Sequence, residues 1–468
     1  MSSYNIVKNI NSSIFRAYDI RGVVADDCLS CDAVYTIGLA IGSQIIASGD
    51  TKVIIGRDGR LSSPQLHDAL TSGLHDSGCD ITDIGLVPSP VVYYAAITLK
   101  IAAAIMLTGS HNPKDYNGLK IILGKKTLTA EKITSLYDLI VKGDFKYGCG
   151  SMKSIDLTER YIADIVARIK LAKPLKVVID CGNGAAGAIA PQLFRALGCD
   201  VVNLYCEIDG NFPNHHPNPS ESENMQDIIT AVKSHKADIG LAFDGDADRI
   251  GVVTGAGEII TPDRQMMLFA SDVLSRNPGG KIVFDVKSTN YLAAVIKDAG
   301  GVPILWKTGH SVLKAKMIAE KAVLAGEMSG HIFFQDNWYG FDDGLYVGCR
   351  MLELLAASDS SLSEIFLGFP LGINTPELHV EMADDVKFSY IEKLKQLVNI
   401  PGAKINYIDG LRIEYPFGWA LIRASNTTPC LTLRFEADSE ALLADIQHAV
   451  KELMLSAEPS LDLAMLEI

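Results

Sequence analysis

The sequence lacks an excess of positive charge. Its 468 residues include 42 Lys and Arg against 56 Asp and Glu, which gives a formal net charge of −14. A broad nucleic-acid-binding surface requires clustered basic residues, so we expect no nucleic-acid partner. An anionic small ligand stays compatible with this balance, because a few Arg and Lys side chains or a helix N-terminus can hold a phosphate inside an acidic protein.

Paired cysteines of the kind that bind zinc are also lacking. The nine cysteines are scattered, and the one tight pair, Cys28 and Cys31, has no second such pair to complete a four-ligand site. We therefore expect no structural zinc.

We also expect no targeting or membrane-spanning segment. Residues 1–15 are polar and contain no apolar run of the kind found in signal peptides. The apolar stretch 91–108 contains Lys100 and follows Pro88 and Pro90, which favours a buried helix followed by a buried strand over a membrane span. We expect a cytoplasmic protein that has no membrane partner and acts as a monomer.

A repeated pattern is what the sequence does contain. Three times, an apolar strand-like run ends in a polar or Gly-rich loop, and a glycine-led second strand and a third strand follow; the first runs are residues 52–60, 176–184 and 281–289. Buried strands alternating with helices predict doubly wound α/β domains. In such domains ligands lie outside the carboxyl ends of the strands, so the loops after the three third strands are candidates for one site. The alternative is three unrelated domains of a common fold.

The pattern changes after about residue 368. A helical stretch near 385–397 and a strand-like run at 431–437 predict a smaller α+β domain. The predicted fold is therefore three tandem α/β domains and a C-terminal α+β domain, with boundaries at residues 1–152, 153–257, 258–368 and 369–468.

The loop DGDADR (244–249) supplies three carboxylates, Asp244, Asp246 and Asp248. With extended spacing, alternate side chains point the same way, so we expect the three to converge and to bind a hard divalent cation, Mg²⁺. An EF-hand is excluded, because its sixth position would be Arg249 and its twelfth Gly255. The alternative is a solvated acidic turn.

The loop TGSHNP (108–113) contains Ser110, with Lys120 close behind it. Serine is a poor nucleophile unless a base, a metal or a covalent modification assists it, and no GxSxG motif surrounds this one. We interpret His111 and Asn112 as helix-start groups that could surround an anion, with a simple capping element as the alternative.

Two further loops contain groups that recognise sugars and phosphates. GEMSGH (326–331) supplies Glu327, Ser329 and His331, and a carboxylate beside a hydroxyl suits the vicinal hydroxyls of a sugar. RASNTTP (423–429) combines Arg423 with hydroxyls and an amide, which suits a phosphate. Simple turns are the alternative for both loops. Together the loops indicate a magnesium-dependent enzyme that acts on a phosphorylated polyol.

The motifs also resemble a known family. They are FRAYDIRG (15–22), TGSHNPKDYNGLK (108–120), DGDADR, DVKSTN (285–290), TGHS (308–311), GEMSGHIFF (326–334) and RASNTTPCLTLRFEA (423–437). In this order they resemble the bacterial phosphomannomutase/phosphoglucomutase branch of the α-D-phosphohexomutases, from about residue 13 to 440. The resemblance implies a heart-shaped four-domain protein with one central cleft. It also implies reversible transfer of a phosphoryl group between the 1- and 6-hydroxyls of mannose and glucose, with hexose 1,6-bisphosphate as intermediate and activator.

The resemblance implies a role for each matching residue. Ser110 would be the phosphoserine and would share Mg²⁺ with Asp244, Asp246 and Asp248. Proton transfer would fall to Lys120 and His331, assisted by Arg21, and Arg249 would add positive charge. The groups that would bind the sugar phosphate are Tyr18, Lys287, His310, Glu327 and Ser329, and those that would bind its non-reacting phosphate are Arg423, Ser425, Asn426 and Thr427.

Two loops favour the mannose/glucose branch. Phosphoglucosamine mutases typically carry GGEQSGH and RxSGTEP where this chain has AGEMSGH and RASNTTP. The alternatives are a phosphoglucosamine mutase, a metal-dependent phosphomonoesterase and a catalytically inactive protein that binds sugar phosphates.

Overall fold

The computed structural model describes residues 4–16, 18–124, 126–128, 130–425 and 428–466. The chain forms two compact units. The first combines Met1–Pro262 with Ser329–Phe366, and the second combines Asp263–Met328 with Leu367–Ile468. Within the described residues, no helix is both long enough and apolar enough to cross a membrane.

The first segment of the chain is a seven-stranded mixed sheet with helices. Its strands are β1 (Ile20–Val23), β2 (Lys52–Arg57), β3 (Asp80–Leu86), β4 (Ala103–Leu107), β5 (Tyr116–Leu123), β6 (Lys126–Thr127) and β7 (Met152–Ser154). Its helices are α1 (Cys31–Ala47), α2 (Ser63–Asp76), α3 (Ser89–Thr98) and α4 (Ala130–Lys142). The order is β1-β5-β4-β2-β3-β7, with β6 beside β5; β2 runs parallel to β3 and β4, whereas β5 runs antiparallel to β1 and β4. The apolar strand β4 is buried along its whole length, as expected for a strand covered on both faces.

The second segment repeats this plan with five strands in the order β12-β11-β10-β8-β9. They are β8 (Lys176–Asp180), β9 (Asp200–Leu204), β10 (Ile239–Phe243), β11 (Ile250–Thr254) and β12 (Ile259–Ile260). The helices are α5 (Thr158–Arg168), α6 (Ala190–Ala196) and α7 (Gln226–His235). Strand β8 runs parallel to β9 and β10, and β11 runs antiparallel to β10, so the loop between β10 and β11 is a tight reversal.

The third segment contains α8 (Pro262–Arg276), β13 (Lys281–Asp285), α9 (Asn290–Asp298), β14 (Val302–Trp306), α10 (His310–Glu320) and β15 (Leu324–Gly326). Strand β13 lies between β14 and β15 and is parallel to both. The elements β16 (Ile332–Phe334), α11 (Gly344–Ala357) and α12 (Leu362–Leu367) follow. Residues Ser329–Phe366 belong to the first compact unit.

The fourth segment is a six-stranded antiparallel sheet covered by two helices. Its strands are β17 (Ile373–Asn374), β18 (Leu378–Glu381), β19 (Lys404–Asn406), β20 (Leu411–Tyr415), β21 (Gly418–Ala424) and β22 (Cys430–Ala437), and its helices are α13 (Lys387–Leu397) and α14 (Glu440–Ala457). Apolar side chains of β20, β21 and β22 pack against α13 and α14 in a core that includes Leu433, Phe435 and Val450.

These elements confirm an α/β fold. The stretch 91–108 is a helix followed by a buried strand, and the predicted strand at 239–243 matches β10. The four domain boundaries, the heart shape and the single cleft stay predictions.

Candidate active site

Ser110 lies in the loop after β4 and is 5% exposed. Its φ of +48° is in the left-handed region, which is unfavourable by about 1–2 kcal/mol for an L-residue outside glycine. Its Oγ donates a hydrogen bond of 2.9 Å to Asp244 Oδ2, and its main-chain N–H donates one of 2.7 Å to Thr108 Oγ1. A strained main chain therefore points the hydroxyl at the first carboxylate of the DGDADR loop.

The three carboxylates of that loop do meet. Asp244, Asp246 and Asp248 are completely buried, and each offers one oxygen within 4.8 Å of the others. The expectation that extended spacing brings them together is wrong. The loop is a turn in which the Ala247 N–H donates to Asp244 O at 3.0 Å and Ala247 adopts a φ of +60°.

Two cations neutralise part of this charge. Lys120, on β5, donates a hydrogen bond of 2.6 Å from Nζ to Asp246 Oδ2 and another to Asp248 Oδ2. Burial lowers the pKa of Lys120, but Asp246 and Asp248 outweigh burial and raise it well above its usual value. Arg249 donates from Nε to Asp244 Oδ2 at 3.1 Å. Burial raises the pKa of Asp248 to about 7, and the charge of Asp246 adds to this shift.

The donor set fits a hard divalent cation. Asp246 Oδ1 and Asp248 Oδ1 are buried and accept no hydrogen bond within the part of the chain that the structure describes. A buried carboxylate oxygen without a donor is unfavourable, and oxygen ligands of this kind are those that Mg²⁺ prefers. The acidic triad can therefore hold one metal ion.

His331 lies beside this triad. It forms an antiparallel bridge with Arg249, and its Nδ1 lies 3.1 Å from Asp342 Oδ2 and 3.6 Å from Asp248 Oδ1. Arg21, on β1, pairs with Asp19 at 2.5 Å and donates to Asn112 Oδ1 at 3.1 Å. Three side chains therefore contact the carboxylates directly, namely Lys120, His331 and Arg249. Arg21 contacts the loop that carries Ser110, through Asn112.

The second compact unit gathers other predicted residues around Asp285, at the end of β13. Its Oδ2 accepts from Thr308 Oγ1 at 3.1 Å, and its Oδ1 accepts from the Met328 N–H at 3.3 Å. The TGHS and GEMSGH loops are thereby tied to one buried carboxyl, whose pKa burial raises. Glu327 lies in the second of these loops and accepts a hydrogen bond from the Gly309 N–H, next to His310.

Lys287 and Arg423 are both buried in this unit and both pair with a carboxylate. Lys287 Nζ donates to Glu377 Oε1 at 2.6 Å, and Arg423 Nε donates to Asp409 Oδ2 at 3.2 Å. Asp409 also accepts from the Thr308 N–H at 3.0 Å, so the RASNTTP and TGHS loops share a carboxylate.

Five predicted residues remain, of which three are described by the structure. Ser425 Oγ lies 2.7 Å from Thr428 Oγ1, Tyr18 and Ser329 are partly exposed, and Asn426 and Thr427 lie outside the described residues. The interpretation of His111 and Asn112 as helix-start groups is wrong, because they lie in turns between β4 and β5 and no helix begins there.

Sequence reasoning missed four buried residues that contact the site. Ser89, at the start of α3, donates from Oγ to Asp246 Oδ2, and Asp342 contacts His331. Asp58 and Arg60 contact the serine loop through its main chain. Asp58 and Arg60 lie at the polar end of the first repeated run. That polar end predicts a loop, but it does not predict which residues the loop contacts.

Comparison with known proteins agrees with this geometry. Models of phosphoglucomutase/phosphomannomutase alpha/beta/alpha domains I, II and III match residues 12–147, 159–257 and 261–370, and the model of the C-terminal domain matches 377–453. The chain belongs to the phosphoglucomutase/phosphomannomutase family. The resemblance carried by the sequence motifs and the four-domain α/β fold are thereby confirmed.

Individual relatives of the family align over nearly their whole length. A phosphomannomutase/phosphoglucomutase of Pseudomonas aeruginosa is 53% identical over 450 residues, which cover 96% of this chain and 97% of the relative. A phosphoglucomutase of Neisseria gonorrhoeae is 50% identical over 96% of this chain and 98% of the relative. A crystal structure of a family protein from Burkholderia thailandensis superposes with a TM-score of 0.93 at 49% identity, covering 97% of this chain and 99% of that one.

Proposed function

We propose that this chain is a phosphohexomutase that interconverts the 1- and 6-phosphates of mannose and glucose. Phosphoserine 110 donates its phosphoryl group to the free hydroxyl of the substrate. The bond between phosphorus and Ser110 Oγ breaks as the bond to the sugar oxygen forms, the hydroxyl proton passes to the acid/base groups named below, and Ser110 Oγ takes up a proton. The resulting hexose 1,6-bisphosphate returns its other phosphoryl group to Ser110 Oγ, and the isomer departs. The observation that carries the proposal is the Ser110 Oγ contact of 2.9 Å with Asp244 inside the buried acidic triad.

Asp244, Asp246 and Asp248 would hold Mg²⁺ together with an oxygen of phosphoserine 110. The metal ion would supply neutralisation of the charge on the transferring group. Arg249 supports this arrangement because its main-chain N–H donates to Asp244 Oδ1 and its guanidinium donates to Asp244 Oδ2, which offsets negative charge and orients the carboxylate.

Lys120 and His331 are proposed as the groups that exchange protons with the sugar hydroxyls, assisted by Arg21. Both lie in contact with the carboxylates that surround Ser110, so each is within the region where a reacting hydroxyl would lie. The contact of His331 Nδ1 with Asp342 holds the imidazole ring beside the carboxylates, and imidazole is a side chain suited to general acid–base chemistry.

Glu327 and Ser329 are proposed to bind the 3- and 4-hydroxyls of the sugar, and Tyr18, Lys287 and His310 to make further contacts with it. Arg423, Ser425, Asn426 and Thr427 are proposed to bind the phosphate that does not react. The burial of Arg423 supports this role. Its Nε donates to Asp409, and the planar guanidinium has a geometry that suits phosphate oxygens.

The deciding experiment combines phosphate mapping with turnover. Intact mass and peptide mapping of the active enzyme should place a phosphoryl group on Ser110, and Ser110→Ala should remove it together with most turnover of glucose 1-phosphate and mannose 1-phosphate. The matched control is Ser43→Ala, which removes another buried serine hydroxyl, bonded to Leu39 O. An active enzyme that never carries phosphate on Ser110 would contradict the proposal.

The same assay separates the alternatives. A phosphomonoesterase would release inorganic phosphate from glucose 1-phosphate without forming the 6-phosphate. A phosphoglucosamine mutase would turn over glucosamine 1-phosphate faster than both hexose phosphates.

A further inference from the structure

Arg60 lies just beyond β2, and almost all of its side chain is buried, with 1% exposed. Its guanidinium donates hydrogen bonds to main-chain carbonyls of the segment that carries Ser110. Nη2 reaches Ser110 O at 2.6 Å and Asn112 O at 2.7 Å. Nη1 reaches Pro113 O at 2.5 Å and Tyr116 O at 3.0 Å. One side chain therefore holds the loop on both sides of the turn.

Asp58 accepts hydrogen bonds from the same loop. Its Oδ2 accepts from Thr108 Oγ1 at 2.8 Å and from the Gly109 N–H at 3.1 Å, while its Oδ1 accepts from the Arg60 N–H at 3.1 Å. Asp58 Oδ2 also lies 3.3 Å from Arg60 Nε. The carboxylate thus fixes the loop before Ser110, and the guanidinium fixes it at Ser110 and beyond.

The packing around Arg60 leaves little freedom. A Cβ at Gly109 would lie 2.2 Å from Arg60 Nε, so the guanidinium lies directly against the glycine that precedes Ser110. The ring of Phe212 lies over the guanidinium, with its centroid 5.1 Å from Cζ. The left-handed main chain of Ser110, with a φ of +48°, is unfavourable by itself and persists because its surroundings determine it.

We propose that Arg60 is a positioning residue for phosphoryl transfer. It holds the Ser110 main chain in the conformation from which Oγ reaches Asp244, with Asp58 and Thr108 as the opposing contacts. This inference rests on the proposed role of Ser110. A lysine cannot replace Arg60, because one ammonium nitrogen cannot span four carbonyls that a planar guanidinium reaches from two nitrogens.

The test follows the transfer step itself. Dephosphorylated enzyme is mixed with glucose 1,6-bisphosphate, and intact mass after rapid quenching gives the rate at which Ser110 gains phosphate. In this step the P–O bond to the sugar breaks, the sugar oxygen takes a proton, and Ser110 Oγ loses its proton as it bonds to phosphorus. Steady-state kcat, KM for glucose 1-phosphate and the melting temperature are measured in parallel.

Two variants each remove contacts that hold one side of the loop. Arg60→Lys removes the guanidinium contacts, and Thr108→Val removes the hydroxyl that accepts from the Ser110 N–H and donates to Asp58. Because a displacement of about 1 Å at a reacting atom can lower the rate roughly 100-fold, we expect a loss of that order for Arg60→Lys. We expect a smaller loss for Thr108→Val. KM should change less than about threefold for both variants, because the position of Ser110 affects the rate of phosphoryl transfer and not the binding of the sugar phosphate.

Arg350→Lys is the matched control. Arg350 is also buried, pairs with Asp336 and Glu353, and lies over the ring of Phe334. We expect it to lower the melting temperature as Arg60→Lys does, while Ser110 gains phosphate at the wild-type rate.

The outcomes separate the two proposals. If the wild type never gains phosphate on Ser110, the proposed function fails and this inference fails with it. If the wild type gains phosphate and both loop variants match its rate, only this inference is overturned. Equal rate losses in Arg60→Lys and Arg350→Lys would also overturn it, because they would reflect general destabilisation. If Arg60→Lys does not fold, Thr108→Val decides by the same criterion.

Discussion

Gly245, the second residue of the DGDADR loop, is the position where a single added methyl group should lower the catalytic rate more than it lowers stability. An ideal Cβ at Gly245 would lie 2.3 Å from Ser110 O and 3.1 Å from Ser110 C. Both are main-chain atoms, so a change of side-chain rotamer cannot relieve the clash. Gly245 is not among the glycines with positive φ, so the main chain there accepts alanine and the contact with Ser110 is the obstacle.

The size of the effect follows from the distance. Ordinary van der Waals contact of a Cβ begins at 3.4 Å, so Gly245→Ala requires the DGDADR loop and the loop that carries Ser110 to move apart by about 1 Å. Displacement of that size between reacting groups can lower a rate about 100-fold, which corresponds to about 2.7 kcal/mol in the activation free energy. Overpacking itself should lower the free energy of unfolding by about 1–3 kcal/mol.

The assay measures kcat and KM with glucose 1-phosphate and unfolding in urea. Gly198→Ala is the control, because a Cβ there meets nothing within 4 Å but the φ of +91° is unfavourable for alanine. Its loss of stability, about 1–2 kcal/mol, should resemble that of Gly245→Ala, while kcat stays near wild type. A Gly245→Ala enzyme with kcat within twofold of wild type, or a Gly198→Ala enzyme that loses as much, would refute the reasoning.

Three other predictions concern the metal, the sugar and the protonation of a buried carboxyl. Asp246→Asn should raise the Mg²⁺ concentration needed for half-maximal activity at least tenfold, since it removes one charged ligand; an unchanged Mg²⁺ titration would contradict the assignment. Glu327→Ala should lower kcat/KM for glucose and mannose phosphates in parallel, and the wild-type values should differ less than about tenfold, because no residue is assigned to the 2-hydroxyl that distinguishes them. Burial raises the pKa of Asp343 from 3.8 to about 7, so the native state binds the proton more tightly than the unfolded chain and stability falls as pH rises from about 4 to about 7. The free energy of unfolding in urea should therefore rise for Asp343→Asn relative to the wild type between pH 5 and pH 8, by at most about 2.6 kcal/mol; a pH-independent difference would contradict this.

Local pattern was enough to locate the strands and the loops that follow them. The apolar run at 239–243 is continuous and ends in acidic residues, so it indicates a buried strand with a polar loop at its carboxyl end, and β10 has those bounds. The stretch at 91–108 could also be interpreted from its own residues. Lys100 and the preceding prolines make a membrane span unfavourable, and this does not depend on the rest of the fold. These properties depend on neighbouring residues alone.

The manner in which the carboxylates converge was not predictable in this way. Extended spacing and a tight turn both bring Asp244, Asp246 and Asp248 together, and the choice depends on the antiparallel pairing of β10 with β11. The residues that support the site were missed for a related reason. Ser89 lies 157 residues from Asp246, and Arg60 binds carbonyl oxygens, which every residue has and no motif marks.

The sequence by itself determined that three α/β domains and an α+β domain present a serine, three aspartates and two further polar loops at strand ends, because each of these depends on local periodicity and on side-chain chemistry. The tertiary structure decided that Ser110 meets Asp244 across 134 residues of chain. It also decided that Gly245 approaches Ser110 O and that Arg60 donates hydrogen bonds to main-chain carbonyls of the loop that carries Ser110. Such contacts depend on how separate strands pack and on main-chain atoms that are the same at every position, so no residue pattern specifies them.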